Sequence, residues 1–344
     1  MSDIGVGLLG YGMAGSIFHA PVIKAVPELS IRTVLTSRTA DVARDLPHAR
    51  ATTAVGDIFA DPTIDLVVVA TPNPTHLDLA AQALRAGKHV VIDKPMTTTL
   101  HDADALVALA AETGRLLSVY QNRRWDGDFL TLRSLIDAGR LGEVWTYEAH
   151  YDRFRPAIKA GWREEPEPGS GLLFDLGSHL IDQALVLFGM PDSVSADVVL
   201  QRPRAKVDDY FHIVLGYGRR RAILHASTLV CEPGPHYIAH GDAGSFIKYQ
   251  MDAQEAALKG GGTVGSPDWG RNDPAADGLL VTADGQRERV PTLPGNYAAF
   301  YAAMAAAIEG NGPVPVTPDA ARDVIAVIEL AQRSAAEAKT IAID

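Results

Sequence analysis

The segment Ile4-Gly5-Val6-Gly7-Leu8-Leu9 runs directly into Gly10-Tyr11-Gly12-Met13-Ala14-Gly15, and the reading of that junction decides the fold. A short apolar run without polar alternation suits a strand buried on both faces of a parallel sheet. The three glycines behind it have separate tasks. Gly10 permits a tight turn, Gly12 lets backbone approach a pyrophosphate with no Cβ in the way, and Gly15 lets the next helix lie close to the strand, with the anion at the helix N-terminus. Six residues alone would equally fit a glycine-rich strand-to-helix turn that holds no ligand, so the surrounding pattern has to decide.

Working outward, short apolar runs recur at 31–36, 66–70, 90–92 and 116–120, with Ala- and Leu-rich helical stretches between them. Leu66-Val67-Val68-Val69-Ala70 shows no alternation at all. This is the βαβ pattern, and it predicts an α/β Rossmann domain over residues 1–121 with a doubly wound parallel sheet. From about residue 122 the pattern changes. A helix is followed by a long strand candidate at 143–154, a Pro- and Gly-rich stretch at 155–171, and a helix at 172–188. Alternating segments at 194–200, 210–217, 221–230 and 245–249 then predict a largely antiparallel sheet. Residues 122–344 are therefore expected to form an α+β domain for substrate binding and oligomerisation. Residues 260–277 read as an exposed loop, 297–308 and 318–338 as helices, and the last helix is expected to pack across both domains.

At 344 residues and 47% apolar, the chain is long enough for two substantial cores. Its formal charge of -11 offers no field for phosphate backbones or anionic lipid, which argues against nucleic-acid and membrane partners. No apolar run approaches the roughly 20 residues needed to cross a bilayer, and no basic leader precedes the first strand, so a cytoplasmic protein is expected. Cys231, the single cysteine, cannot form an intrachain disulfide and is expected to be a buried, inert thiol.

The second strand ends at Thr36-Ser37-Arg38-Thr39, about twenty residues past the glycines, where an acidic residue would receive the ribose 2′-hydroxyl of NAD. No acid stands there. Ser37 and Arg38 instead suit a 2′-phosphate, which favours NADP over NAD; the alternative is that Arg38 is a solvated loop cation. After the strand at 90–92 comes Asp93-Lys94-Pro95, which puts a lysine at the carboxyl end of a sheet strand, where ligands of open α/β sheets bind. Far along the chain, Asp175 precedes His179 by four residues on a predicted helix, a spacing that puts both on one face.

The glycine fingerprint, Ala70-Thr71-Pro72-Asn73-Pro74-Thr75-His76, the Asp-Lys-Pro segment and the Asp/His helix together resemble the Gfo/Idh/MocA oxidoreductases. Within that family, Phe18-His19-Ala20-Pro21, Tyr120 to Asp126 and Asp175 to Gln183 are most similar to NADP-dependent scyllo-inositol dehydrogenase-like members. Asp93 departs conservatively from the commoner glutamate. The resemblance implies a catalytic triad of Lys94, Asp175 and His179, and hydride transfer between a nicotinamide and a secondary or anomeric alcohol of a cyclic polyol or sugar.

His179 is the candidate base, because imidazole titrates near neutrality. Lys94 would stabilise the developing alkoxide and Asp175 would orient the other partners or the substrate hydroxyl, although a Lys-centred relay would use the same three residues. The cofactor set is Gly10, Gly12, Met13, Ala14, Gly15, Ser37, Arg38, Thr71, Asn73, His76, Lys94, Arg123 and Trp162. Asn73 equally suits a Pro-bounded turn, and His76 the start of a helix.

Arg124, Tyr151, Arg153 and Arg163 are substrate candidates. Arg124 is otherwise a solvated cation, and Arg153 a partner for Asp152 or Glu148. No metal is expected, since Asp175 and His179 lack a convincing third ligand. A homodimer or homotetramer is expected. Aldose 1-dehydrogenase, a non-catalytic NADP-binding sensor and an NAD-dependent glycosidase are the alternatives.

Overall fold

The computed structural model describes residues 3–158, 161 and 164–343. It divides into two compact units. One comprises Met1–Asn122, Gln254–Trp269 and Asn296–Arg322, the other Arg123–Ala253, Gly270–Gly295 and Asp323–Asp344.

The first unit holds six strands: β1 (Ile4–Leu9), β2 (Leu29–Leu35), β3 (Arg50–Thr52), β4 (Leu66–Val69), β5 (His89–Asp93) and β6 (Leu117–Tyr120). They form one parallel sheet in the order β3-β2-β1-β4-β5-β6, the doubly wound dinucleotide-binding order. Every residue of β1 and β4 is buried, as runs without alternation require. Helices return the chain between strands, and their ends are chemically marked. In Leu100–Thr113, the Thr99 side chain accepts a hydrogen bond from the Asp102 amide at one end, and Gly114 closes the other with φ 62°. The reversal of strand order falls between β1 and β4, so the segments after these two strands flank the switch point where ligands of such sheets bind.

The second unit carries nine strands: β7 (Val144–His150), β8 (Ser193–Val199), β9 (Tyr210–Tyr217), β10 (Arg220–Ser227), β11 (Tyr237–Gly241), β12 (Gly244–Lys248), β13 (Gly278–Thr282), β14 (Arg287–Val290) and β15 (Ile341–Ala342). Their order is β14-β13-β12-β11-β7-β10-β9-β8-β15. All pairs are antiparallel except β7 with β10, which run parallel in the middle of the sheet. One face is buried and rich in aromatic rings. Tyr147 stacks on Tyr237 at 6.2 Å and meets Phe188, from the helix Ser178–Phe188, edge-on at 5.7 Å. The alternate residues of β7, β9 and β10, among them Glu148, His150, Val214, His212, Ile223 and His225, face the other way and are half-buried.

Cys231 is exposed, contrary to expectation. It lies beyond β10 in Cys231-Glu232-Pro233-Gly234-Pro235, where two prolines and a glycine prevent the strand from continuing and carry the thiol out of the sheet. Among the described residues no helix is long and apolar enough to cross a membrane.

A buried cluster of titratable side chains joins Asp128, His236 and Asp252. Asp128 faces Nε2 of His236 at 3.6 Å and accepts the amide of Asp252 at 3.2 Å. Burial, reinforced by Asp252, pushes the Asp128 carboxyl up to about 7. A buried acid whose folded pKa is raised binds its proton more tightly when folded. Stability therefore falls as pH climbs from the unfolded pKa near 4 to the folded value, and levels off above it. In Asp128→Asn this slope should vanish. Denaturation at pH 4 and at pH 8 should show the wild-type-to-variant difference moving by about 2–4 kcal/mol in favour of asparagine. A difference that stays constant across that range would mean Asp128 is ionised throughout.

Candidate active site

In the first unit, Gly10 adopts φ +97°, and a Cβ added there would lie 2.6 Å from the carbonyl oxygen of Ala70, at the end of β4. A Cβ on Gly15 would lie 2.0 Å from the carbonyl oxygen of Gly10. These two glycines are thus demanded by the fold itself. Gly12 is different: a Cβ there meets nothing within 4 Å, and its φ is not in the left-handed range. The protein does not need a glycine at that position, whereas a ligand pressed against the backbone would. Met13 is half-exposed, and Ala14 opens a π-helical turn, Ala14–His19, that continues into the helix Ala20–Lys24.

Ser37 and Arg38 are exposed just beyond β2. The Arg38 amide donates to Oγ1 of Thr36 at 3.0 Å, and no carboxylate pairs with its guanidinium among the described residues. Beyond β4, Oγ1 of Thr71 bonds Oγ1 of Thr75 at 2.6 Å, and Asn73 is buried in the short turn Asn73–Thr75.

His76 starts the following helix with its ring fully buried. Its Nδ1 lies 2.8 Å from the Pro95 carbonyl and its Nε2 2.9 Å from that of Thr71. Both ring nitrogens thus face backbone carbonyls rather than solvent. The ring braces the segment after β4 against the turn that carries Lys94.

Lys94 follows β5 directly. Behind it, the Asp93 carboxylate faces Nε2 of His19 at 3.4 Å, and Nδ1 of His19 lies 2.5 Å from the Tyr301 hydroxyl. Burial pushes the Asp93 carboxyl up, but the His19 hydrogen bond and charge, with Lys94 and His76, outweigh it and hold the group below its usual range. Sequence reading did not assign His19 and Tyr301 to this support. Their only trace was the His19 of Phe18-His19-Ala20-Pro21 and an aromatic in a predicted helix.

In the second unit, Asp175 sits in a π-helical turn, Leu173–Gly177, and His179 in the first turn of the helix behind it, buried to 5% exposure. π-turns of this kind recur at functional sites. Oδ2 of Asp175 lies 3.6 Å from Nη2 of Arg153, so Arg153 pairs with the catalytic candidate and not with Asp152 or Glu148.

The Arg153 guanidinium also lies 5.6 Å from the Tyr151 ring centroid, and that of Arg123 lies 5.1 Å from it. Arg123 donates to the Tyr151 hydroxyl at 2.7 Å and to Asp126 at 2.9 Å. Arg124, a substrate candidate in the sequence, makes a bidentate pair with Asp182 at 2.7 and 2.8 Å, which rules out the alternative of a solvated cation. The buried Gln183 ties the Arg123 carbonyl to the Tyr237 hydroxyl, fixing the backbone of this arginine pair to the sheet. Trp162 and Arg163 lie outside the described residues.

A parallel sheet in dinucleotide-binding order, with an open backbone at Gly12 and a lysine at the end of a strand, defines the nucleotide-dependent oxidoreductase class. Residues 4–121 match the family model described as oxidoreductase family, NAD-binding Rossmann fold, and residues 133–343 match its C-terminal alpha/beta domain. The chain belongs to the Gfo/Idh/MocA oxidoreductase family.

It is 47% identical to oxidoreductase YdgJ of Escherichia coli (strain K12), over 99% of both chains. It is 44% identical to the scyllo-inositol 2-dehydrogenase (NADP(+)) IolW of Bacillus subtilis (strain 168), over 100% of this chain and 97% of that one. The solved structure of the oxidoreductase yvaA from Bacillus subtilis superposes with a TM-score of 0.98 at 44% identity, over 100% of this chain and 99% of that one.

Proposed function

We propose that the protein is an NADP-dependent dehydrogenase that interconverts a secondary alcohol and a ketone on a ring carbon of a cyclic polyol, scyllo-inositol and its inosose in the first place. The observation that carries this reading is the full-length likeness to IolW, whose name states both that substrate and that cofactor. The exposed arginine beyond β2, at a strand end that offers no acid to a ribose, supports the choice of NADP.

The bound nicotinamide supplies the hydride acceptor. Gly10 to Gly15 would hold its pyrophosphate through backbone amides, and Arg38 would bond the 2′-phosphate. In the alcohol-to-ketone direction, a ring nitrogen of His179 takes the hydroxyl proton as the hydride leaves. Nζ of Lys94 donates a hydrogen bond to the same oxygen and offsets its growing negative charge. Asp175, held by Arg153, orients the substrate hydroxyl. Asp93 and His19 hold the strand end from which Lys94 projects, which makes them positioning residues.

The test follows reduced-nicotinamide absorbance with NADP and with NAD against inositols and aldoses. Turnover should be confined to cyclic polyols and should prefer NADP. Turnover of aldoses alone would replace the substrate class, and cofactor binding without any turnover would favour a sensor. In Arg38→Asp, kcat/KM for NADP should fall roughly 10–100-fold more than that for NAD, the worth of one charge-assisted bond. Equal losses would remove Arg38 from the 2′-phosphate.

A further inference from the structure

The half-buried face of the nine-stranded sheet carries a group that the oxidoreductase chemistry does not use. β7 and β10 pair in a register that sets His150 directly opposite His225, and β9 sets His212 opposite His225 on the other side. Asp152 follows β7 by two residues and shares this face. His150, Asp152 and His225 each present a ligand atom, and these atoms all lie within 4.8 Å of one another. Oδ1 of Asp152 is 3.3 Å from Nε2 of His225, and Oδ2 is 3.8 Å from Nδ1 of His150.

We propose that His150, Asp152 and His225 bind a divalent transition-metal ion of the Zn²⁺ type. Two imidazoles and a carboxylate are the donor set such ions prefer, whereas Mg²⁺ and Ca²⁺ select oxygen alone. Ligand atoms about 2.0–2.1 Å from a tetrahedral ion lie about 3.3 Å apart. The distance from Oδ1 of Asp152 to His225 already matches that, whereas His150 lies nearest the other oxygen, Oδ2, so its ring has to move inward for all three residues to share one ion.

Three further observations support the site. Oδ1 of Asp152 accepts the Ser227 amide at 3.0 Å, an outer bond of the kind that orients a metal-binding carboxylate. Glu148 approaches Nε2 of His150 at 3.2 Å, so two carboxylates face the imidazoles, and with neutral rings a dication would balance them. Nδ1 of His225 is buried and makes no hydrogen bond among the described residues, while Nε2 of the same ring faces Asp152. On a half-buried strand face packing alone would be better served by Val, Ile or Thr. The two rings are partly exposed, His150 to 25% and His225 to 17%, which leaves an entry path for an ion and for water as a fourth ligand.

The test uses the full chain, stripped with a chelator and titrated with Zn²⁺ by calorimetry and with Co²⁺ by visible absorption. We expect one ion per chain and a Co²⁺ spectrum of low-coordinate nitrogen and oxygen ligation. His225→Gln and His150→Ala should each lose more than the roughly 10–100-fold in affinity that removal of an outer-shell partner costs. If either variant fails to fold, Asp152→Asn still decides, because the amide oxygen keeps the bond from Ser227 while the charge is lost. His101→Ala, which changes a histidine on the first unit, should bind as wild type. No stoichiometric binding by the wild-type chain, or equal affinity in wild type and Asp152→Asn, would overturn the site.

Discussion

In Lys94→Met, kcat should fall by about 10³-fold while the affinity for NADPH stays within a few-fold of wild type. The magnitude follows from the role: removal of one hydrogen-bond donor from a developing oxyanion costs about 10²–10³ in rate, and a cationic donor lies at the upper end. Methionine keeps the length of the stem, and Asp93, which pairs with His19, stays where it is. On the proposed reading the glycine turn after β1 and Arg38 after β2 hold the far part of the cofactor, so binding has little reason to change. Steady-state kinetics on the polyol identified by the panel, with a fluorescence titration of NADPH, separates the two quantities. A loss of kcat below tenfold would take Lys94 off the reacting oxygen. A parallel loss of NADPH affinity would make it a cofactor ligand instead.

The parts of this molecule that were legible in its sequence are those fixed by local chemistry. β1 and β4 announce themselves because a strand buried on both faces has to be apolar throughout, β5 through its buried centre Val90-Val91-Ile92, and the glycine turn because backbone geometry leaves no other residue at Gly10 and Gly15. β3 is three residues long, Arg50-Ala51-Thr52, and carries no pattern to read. The parallel pairing of β7 with β10 was invisible for another reason. It joins strands about 75 residues apart through backbone bonds, and no side chain records the direction of pairing.

The site divides in the same way. Lys94, Asp175 and His179 were proposed from their motifs, but the partners that hold these candidates come from elsewhere in the chain. His19 meets Asp93, and Tyr301 meets His19. Arg153, three residues beyond β7, pairs with Asp175 from a helical turn later in the chain, a contact that no local pattern around Arg153 records. Arg123 and Asp126 are the reverse case. Their three-residue spacing in a turn made an internal pair readable, yet an arginine after a strand end reads as readily as a ligand contact.

The largest effect on cofactor binding is expected from Gly12→Val, and its meaning depends on a comparison with Gly15→Val. The two glycines lie three residues apart in one turn but answer to different constraints. A Cβ on Gly15 would sit 2.0 Å from a backbone oxygen of the same turn, which cannot rotate away as a flexible side chain would. Valine there has to push the π-turn off β1, at a cost of about 3 kcal/mol or more in stability.

A Cβ on Gly12 meets nothing within 4 Å, and the backbone there is open to any residue. Gly12→Val should therefore keep the wild-type Tm within a few degrees. Its isopropyl group would nevertheless occupy the space where the pyrophosphate has to meet the amides, and the Kd for NADPH should rise at least about 100-fold, close to 3 kcal/mol. Thermal denaturation and NADPH titration of both variants give four numbers. The reading requires stability to fall in one variant and binding in the other. If Gly12→Val bound NADPH as wild type does, the open space at Gly12 would be a surface without a ligand, and the cofactor would have to be held by residues other than this turn.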